Sequence, residues 1–221
     1  MSDDVLIRCE GVAKTYGTGH AAVVAMHGVD CEVRSGDRIA LVGPSGSGKT
    51  TLLHLFAGVI APTVGTITWP ALGEVLRPGP VSMIFQAASL IPALDVVENV
   101  ALPLVLAGVS GTEAEQRAMT ALDALGLVDL ARHLPAEISG GQSQRVAVAR
   151  TLAGEHRLIL ADEPTGQLDH ATGAEVVDAL VHAADRLGAG LVVSTHDPSV
   201  ATAVGAAWQI VDGRLHVGAP A

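Results

Sequence analysis

Residues 43–50 form a glycine-rich stretch, GPSGSGKT, that matches the pattern G-x-x-x-x-G-K-[ST]. Glycines let consecutive backbone N–H groups turn inward around an anion, and a helix that begins behind them adds its positive N-terminal dipole. Lys49 can neutralise the β- and γ-phosphate oxygens of a nucleotide, the Thr50 hydroxyl can hold Mg²⁺, and Thr51 can reach the α-phosphate. The pattern predicts a phosphate-binding loop made of Gly43, Pro44, Ser45, Gly46, Ser47, Gly48, Lys49, Thr50 and Thr51.

Two carboxylates follow an apolar stretch farther along the chain. Residues 157–161, RLILA, lead directly into Asp162 and Glu163. A strand of a parallel sheet can deliver Asp162 at its carboxyl end, where it would orient the shell of Mg²⁺, and Glu163 would polarise an attacking water. Alone, this pattern is also typical of a solvated strand end. Together with the phosphate-binding loop it predicts hydrolysis of a nucleotide.

A second turn that could bind an anion lies at residues 138–142, ISGGQ, ahead of a predicted helix that bears Arg145 and Arg150. Ser139 can cap this helix, and Gly140–Gly141 can expose backbone N–H groups at its start. An ordinary capped turn would have the same sequence. Because one nucleotide needs only one phosphate-binding loop, two such turns indicate that the second serves the nucleotide of another subunit.

The hydrophobic pattern predicts the elements that position these motifs. Residues 38–42, RIALV, are a continuous apolar run directly before the loop, typical of a strand buried on both faces. Other strands are predicted at residues 5–12, 29–33, 157–161 and 190–194, with short strands within 63–85 and a hairpin within 209–217. Helices are predicted at residues 49–58, 142–153 and 173–187, and at 113–125 with Thr112 as the N-cap. The pattern predicts an α/β body interrupted by a helical insertion at about residues 87–153.

Composition excludes several classes of function. The 221 residues include 13 Lys and Arg against 23 Asp and Glu, so the net charge of −10, without a basic block, argues against a nucleic-acid partner. Hydrophobic residues make up 49% and mean hydropathy is +0.42, which indicates a surface covered by a partner. Prolines and glycines interrupt the long uncharged stretches, such as residues 50–73, so we expect no membrane-spanning helix.

The N-terminal residues and the cysteines bear on where the protein works in the cell. Residues 1–4 are acidic and lack the basic start and apolar core of a signal peptide. Cys9 and Cys31 each lie in a strand-like stretch, and we expect both to be reduced thiols in a reducing cytoplasm. The sequence therefore predicts a cytoplasmic protein.

The motifs and their order resemble the nucleotide-binding domain of ATP-binding cassette (ABC) transporters over essentially the whole chain. Residues 43–50 resemble the Walker A motif, residues 158–163 the Walker B motif, and residues 138–142 the LSGGQ signature with Ile in place of Leu. Other family positions are matched by single residues: Tyr16 for the aromatic that stacks on adenine, Gln86 for the Q-loop, Asp169 with Leu168 for the D-loop, and His196 for the switch histidine.

The resemblance implies a single ABC ATPase domain over residues 1–221. Its fold would be a P-loop NTPase core with a mainly parallel sheet, an antiparallel β subdomain and the helical insertion. ATP and Mg²⁺ would be the cofactors. The implied catalytic residues are Lys49, Gln86, Glu163 and His196, and the implied metal-site residues are Thr50, Gln86 and Asp162. Tyr16, Asp169 and the signature residues Ser139, Gly140, Gly141 and Gln142 would contact nucleotide.

The same resemblance implies the partners. Two ATPase subunits, in a homodimer or a heterodimer, would close head to tail around two ATP molecules and drive an integral-membrane permease from the cytoplasmic face of the membrane, as peripheral subunits. Residues 161–166 and 98–104 are similar to the subgroup that serves lipoprotein release, macrolide export and cell division. Gln167, where that subgroup commonly has Asn, and the short segment 65–86 without an Arg-rich helix depart from its pattern.

Two other functions are compatible with an ABC-type sequence. A cassette protein that acts on ribosomes or DNA would carry two cassettes, or a coiled coil with a basic surface, and this chain has one cassette and an acidic charge. A clamp that binds ATP without turnover would have lost Glu163 or His196, and both residues are present. The sequence favours a hydrolysing subunit.

Overall fold

The computed structural model describes residues 4–73 and 79–218. The strands in this part of the chain are β1 (Val5–Tyr16), β2 (Val23–Arg34), β3 (Arg38–Val42), β4 (Val64–Thr68), β5 (Val81–Ile84), β6 (Leu158–Asp162), β7 (Gly190–Thr195), β8 (Ala206–Val211) and β9 (Arg214–Val217). The α-helices are α1 (Lys49–Phe56), α2 (Val96–Leu106), α3 (Gly111–Asp123), α4 (Gly140–Leu152), α5 (His170–Leu187) and α6 (Pro198–Val204).

These strands form two sheets. The larger sheet has the order β5-β6-β7-β3-β8-β9, in which the first five strands pair in parallel and β9 pairs with β8 in antiparallel orientation. The smaller sheet is antiparallel, with the order β2-β1-β4. The α/β class, the mainly parallel sheet and the antiparallel β region are thus confirmed, and the predicted hairpin is found at β8–β9.

The core lies on both faces of the parallel sheet. Along a buried strand consecutive side chains point to opposite faces, and on β7 Val193 packs with the helices α2–α6 while Val192 packs with α1 and the antiparallel sheet. Both residues are buried. Covering on both faces explains why β3, β6 and β7 have continuous apolar sequences rather than alternating ones.

The two cysteines face each other across the antiparallel sheet. Cys9 on β1 pairs with Cys31 on β2, and both are free thiols, Cys9 buried and Cys31 half-buried. A hydrogen bond with the Cys9 thiol and burial raise the pKa of the Cys31 thiol. Because the thiolate is the reactive form, this environment makes Cys31 a poor nucleophile at neutral pH.

The segment between β5 and β6 contributes α2, α3 and α4. The N-cap of α3 is Ser110, whose hydroxyl accepts a hydrogen bond from the Glu113 backbone, and the prediction of Thr112 as N-cap is wrong. Both residues carry a hydroxyl that could cap, but the helix already begins at Gly111, which places Thr112 inside its first turn. None of the helices in residues 4–73 and 79–218 has the length and apolar character that a bilayer crossing requires.

Candidate functional site

The residues predicted to hold phosphate and metal and to catalyse hydrolysis lie at one edge of the parallel sheet. The phosphate-binding loop follows β3, Gln86 follows β5, Asp162 ends β6, and His196 follows β7. These four strands are neighbours and run in parallel, so their carboxyl ends meet at the same edge. The side chain of Gln86 is exposed there and makes no hydrogen bond within the described residues.

The phosphate-binding loop is tightly curved between β3 and α1. Gly46 and Gly48 have φ values of 78° and 110°, in the left-handed region, and Gly48 is the N-cap of α1. A Cβ atom at Gly43 would lie 2.3 Å from the backbone oxygen of Ile210, so this glycine is required by close packing. The buried Ser47 hydroxyl has no hydrogen-bond partner within residues 4–73 and 79–218. A buried polar atom without a partner is costly, and a ligand seated in the loop would satisfy it.

The Lys49 ammonium points back across the loop. Its Nζ donates hydrogen bonds to the backbone oxygens of Gly43 (2.8 Å) and Pro44 (3.3 Å), and its side chain is only 8% exposed. The same Nζ lies 3.6 Å from Oε1 of Glu163. The structure therefore brings the loop lysine together with Glu163, the carboxylate that directly follows β6.

Glu163 is also held from the other side. The ring Nδ1 of His196 lies 2.8 Å from its Oε2, as a hydrogen bond in which the imidazole donates and the carboxylate accepts. Glu163 is largely buried while the side chain of His196 is 70% exposed. Glu163 thus lies between Lys49 and His196, and the imidazole faces solvent. This arrangement fixes a carboxylate beside the phosphate-binding loop, as hydrolysis of a bound phosphate requires.

The turn at residues 138–142 leads into a helix, as predicted. Ser139 is the N-cap of α4, its hydroxyl accepts from the Gln142 backbone at 3.2 Å, and the Gln142 side chain accepts from the Ser139 backbone at 2.7 Å. Ser139 and Gly140 are exposed. Among the described residues no hydrogen bond or ion pair joins this turn to the phosphate-binding loop.

Two predicted nucleotide contacts have neighbours of their own. Tyr16 ends β1, is 43% exposed, and has the Lys14 ammonium 5.3 Å from its ring centroid. The Asp169 carboxylate caps α5, where it accepts from the backbone N–H and the hydroxyl of Thr172. These bonds lower the pKa of the Asp169 carboxyl. The structure gives Asp169 a capping role and shows no contact of its carboxylate with the phosphate-binding loop.

Comparisons with known proteins match this geometry. The profile of the ABC transporter family matches residues 26–166. The lipoprotein-releasing system ATP-binding protein LolD of Legionella pneumophila (strain Paris) is 39% identical over 97% of this chain and 98% of its own length, and that of Pseudomonas syringae pv. tomato is 37% identical over 97% and 99%.

Solved structures agree. The dimeric post-hydrolysis state of the ATP-binding cassette MJ0796, bound to ADP and phosphate, superposes with a TM-score of 0.90 at 33% identity over 97% of this chain and 98% of that one. The cassette cbiO1 of Clostridium perfringens, part of the cbiONQ transporter complex, gives 0.79 at 26% identity over 97% and 88%. Fold, edge geometry and sequence similarity over nearly the full length lead to one conclusion: the chain belongs to the ABC transporter family, as an ATP-binding and ATP-hydrolysing subunit.

Proposed function

We propose that ATP binds with its phosphates in the loop of residues 43–48 and is hydrolysed at Glu163. The observation that supports this assignment is the position of Glu163, whose carboxylate lies 3.6 Å from the loop lysine and 2.8 Å from His196. In this assignment Glu163 orients the attacking water and accepts its proton, and Lys49 neutralises charge on the β- and γ-phosphates. His196 holds the carboxylate from the solvent side.

Mg²⁺ fits the donors at this edge. The Thr50 side chain is exposed and makes no hydrogen bond in the described part of the chain. The Asp162 carboxylate ends β6 at the same sheet edge as the loop, and Gln86 offers an amide oxygen. Hydroxyl, carboxylate and amide oxygens are the ligands that this hard cation prefers. When bound, the cation would neutralise charge on the transferred phosphoryl group. We propose Thr50 and Gln86 as its direct ligands, with Asp162 orienting its water shell.

Replacement of Thr50 by Val is expected to remove the effect of Mg²⁺ on ATP affinity. Because the phosphate-binding backbone is unchanged, affinity in the presence of a chelator should match wild type, whereas the gain on adding Mg²⁺ should fall by about tenfold. Isothermal titration of ATP with and without Mg²⁺ measures both values. Thr50→Ser keeps the hydroxyl and should retain the gain; a full Mg²⁺ gain in Thr50→Val would remove this residue from the metal site.

We further propose that two copies of the chain, or this chain and a second ATPase subunit, close head to tail around two ATP molecules. Support comes from the exposed N-terminus of α4, which no hydrogen bond joins to the phosphate-binding loop in the described part of the chain, and from the dimer of MJ0796. In the dimer the backbone N–H groups of Gly140 and Gly141, and the hydroxyl proton of Ser139, would face the γ-phosphate held by the other copy's loop. Tyr16 would stack on adenine.

The membrane partner is proposed to dock on the helical insertion, residues 87–153. A groove of about 290 Å³ opens beside α2. Most of its lining is apolar, together with three charged residues: Leu94, Val97, Glu98, Ala101, Leu102, Val105, Gly111, Glu115 and Arg132. Val105, one of these lining residues, is exposed. The subunit would work at the cytoplasmic face of the membrane, with a permease of the kind that lipoprotein-releasing ATPases serve, as the relatives at 37–39% identity support.

Leu102→Glu is expected to abolish recovery of the protein with membranes while leaving ATP affinity unchanged. Leu102 is half-buried and lines the groove, so a carboxylate there opposes docking of an apolar partner surface. Docking is measured as the fraction of the protein that sediments with the membranes of the cells that produce it. The thermal unfolding transition shows whether the variant is folded. Leu104, which the apolar pattern of α2 also suggests for docking, is 7% exposed and belongs to the core, so Leu104→Glu should unfold the protein.

Leu106→Glu is the matched control for the docking prediction. This residue lies on the same helix, is exposed, and is outside the lining of the groove. We expect it to sediment with membranes like wild type. Undiminished sedimentation of folded Leu102→Glu would place the docking surface elsewhere.

A further inference from the structure

Ser194 connects both carboxyl-bearing residues at the end of β6. It lies on β7 directly across from Asp162 and is completely buried. Its hydroxyl donates to Oδ1 of Asp162 at 2.5 Å and accepts from the backbone N–H of Glu163 at 3.0 Å. The direction is fixed because a backbone N–H can only donate, which leaves the single hydroxyl proton for the carboxylate.

The hydrogen bond to Glu163 acts where the backbone leaves the strand. Glu163 has a φ of 48°, in the left-handed region that residues with a side chain seldom adopt. Its N–H is held by the Ser194 hydroxyl and also by the Ser194 backbone oxygen at 3.2 Å. This turn directs the Glu163 side chain toward Lys49 and His196, so the orientation of one peptide bond decides where the carboxylate lies.

Packing alone does not explain a hydroxyl at this place. The preceding strand residues, Leu191, Val192 and Val193, are aliphatic and buried. A buried hydroxyl costs free energy unless it is hydrogen-bonded, and a small apolar side chain would occupy the same space without that cost. The two bonds that the Ser194 hydroxyl makes both lead to the site, and neither of them stabilises an element elsewhere.

We propose that Ser194 is a positioning residue of the ATPase reaction, which fixes the side chain of Asp162 and the backbone of Glu163 relative to the phosphate-binding loop. The inference rests on the roles proposed above for those two residues. Ser194 itself touches neither nucleotide nor water in the reaction. Without its hydroxyl, Asp162 loses the partner of Oδ1 and the Glu163 N–H keeps only the carbonyl contact.

The test is Ser194→Ala, with ATPase kinetics and a direct measurement of metal binding. We expect kcat to fall about tenfold at an unchanged KM for ATP. Mn²⁺ titrated into the equimolar complex of protein and ADP, and followed by electron paramagnetic resonance, should half-saturate at about tenfold higher concentration. Ser194→Thr keeps the hydroxyl and should restore both values. Ser194→Cys, close in size but a weak hydrogen-bonding group, should behave like Ala and serves if the Ala variant does not fold.

Ser82→Ala is the matched control for loss of a hydroxyl. Ser82 lies on β5 of the same sheet, and its hydroxyl bonds Thr151 at 2.9 Å. Its loss should lower the melting temperature without changing kcat or Mn²⁺ binding. If Ser194→Ala and Ser194→Cys keep both values within about twofold of wild type, Ser194 is only structural. Normal turnover by Glu163→Gln would instead refute the proposed catalytic role of Glu163, and the Mn²⁺ measurement would still test the contact with Asp162.

Discussion

Glu163→Gln is expected to bind ATP like wild type and to hydrolyse it at least about a hundredfold more slowly, because loss of a general base typically costs that much. The amide keeps the size of the side chain but cannot accept a proton from water. Its neighbours, Lys49 at 3.6 Å and His196 at 2.8 Å, remain in place. ATP should then persist in the site, and an ATP-bound dimer should accumulate. Single-turnover hydrolysis and size-exclusion chromatography with ATP measure the two effects.

Glu155→Gln is the matched control, with the same chemical change at an exposed carboxylate. Glu155 is 75% exposed, pairs with Arg117 at 3.4 Å, and lies before the amino end of β6, whereas Glu163 follows the carboxyl end of that strand. Its turnover should equal that of wild type. Near-normal turnover by purified Glu163→Gln would remove Glu163 from the reaction and with it the assignment of the general base.

Elements with both ends marked in the sequence were predictable. The buried run of residues 38–42 is found as β3 with the same bounds, since charged and glycine-rich segments delimit it. Helix α2 shows the limit of such reasoning. Its sequence VVENVALPLVL is apolar nearly all round, so the pattern does not separate half-buried Leu102 from buried Leu104 and exposed Leu106. Which face is covered depends on α3 and α4, which pack against it from later in the chain.

The site was predictable as motifs and less so as contacts. The order of the motifs along the chain, together with a parallel sheet, places the phosphate-binding loop and Glu163 at one edge of that sheet. The ion pair of Lys49 with Glu163 and the bonds of Ser194 join separate strands, and no local pattern contains them. A signal for Ser194 was present, as a hydroxyl at the end of the apolar run GLVVS, but a serine at a strand end is common without any such role.

Mixing two inactive variants should restore ATPase activity if each site is shared between two chains. Lys49→Ala loses the phosphate contact but keeps its own signature turn. Ser139→Arg places a bulky side chain at the start of α4, where the γ-phosphate of the other chain would meet the helix N-terminus, and leaves its own Lys49 intact. In a mixed dimer one composite site carries both defects and the other carries neither.

The expected recovery can be stated quantitatively. Random pairing of equal amounts makes half of the dimers mixed, each with one intact site, so independent sites would give about a quarter of the wild-type activity. The dependence on protein concentration should be steeper than linear at low concentration, because only the dimer is active. Initial rates of each variant alone and of the mixture, over a range of concentrations, measure both.

Ser139→Ala separates the steric block from loss of the helix cap. Ser139 caps α4 through the Gln142 backbone, so either replacement removes that bond, which is worth about 1 kcal/mol. The alanine variant adds no bulk and should retain much more activity than the arginine variant. If both are equally inactive, the cap and not the contact between chains explains the loss.

If the mixture of Lys49→Ala and Ser139→Arg restores nothing, either both sites must fire together or the signature turn acts within its own chain. A crosslink between cysteines introduced at Ser45 and Ser139 distinguishes these cases, because only a shared site brings the two residues of different chains together.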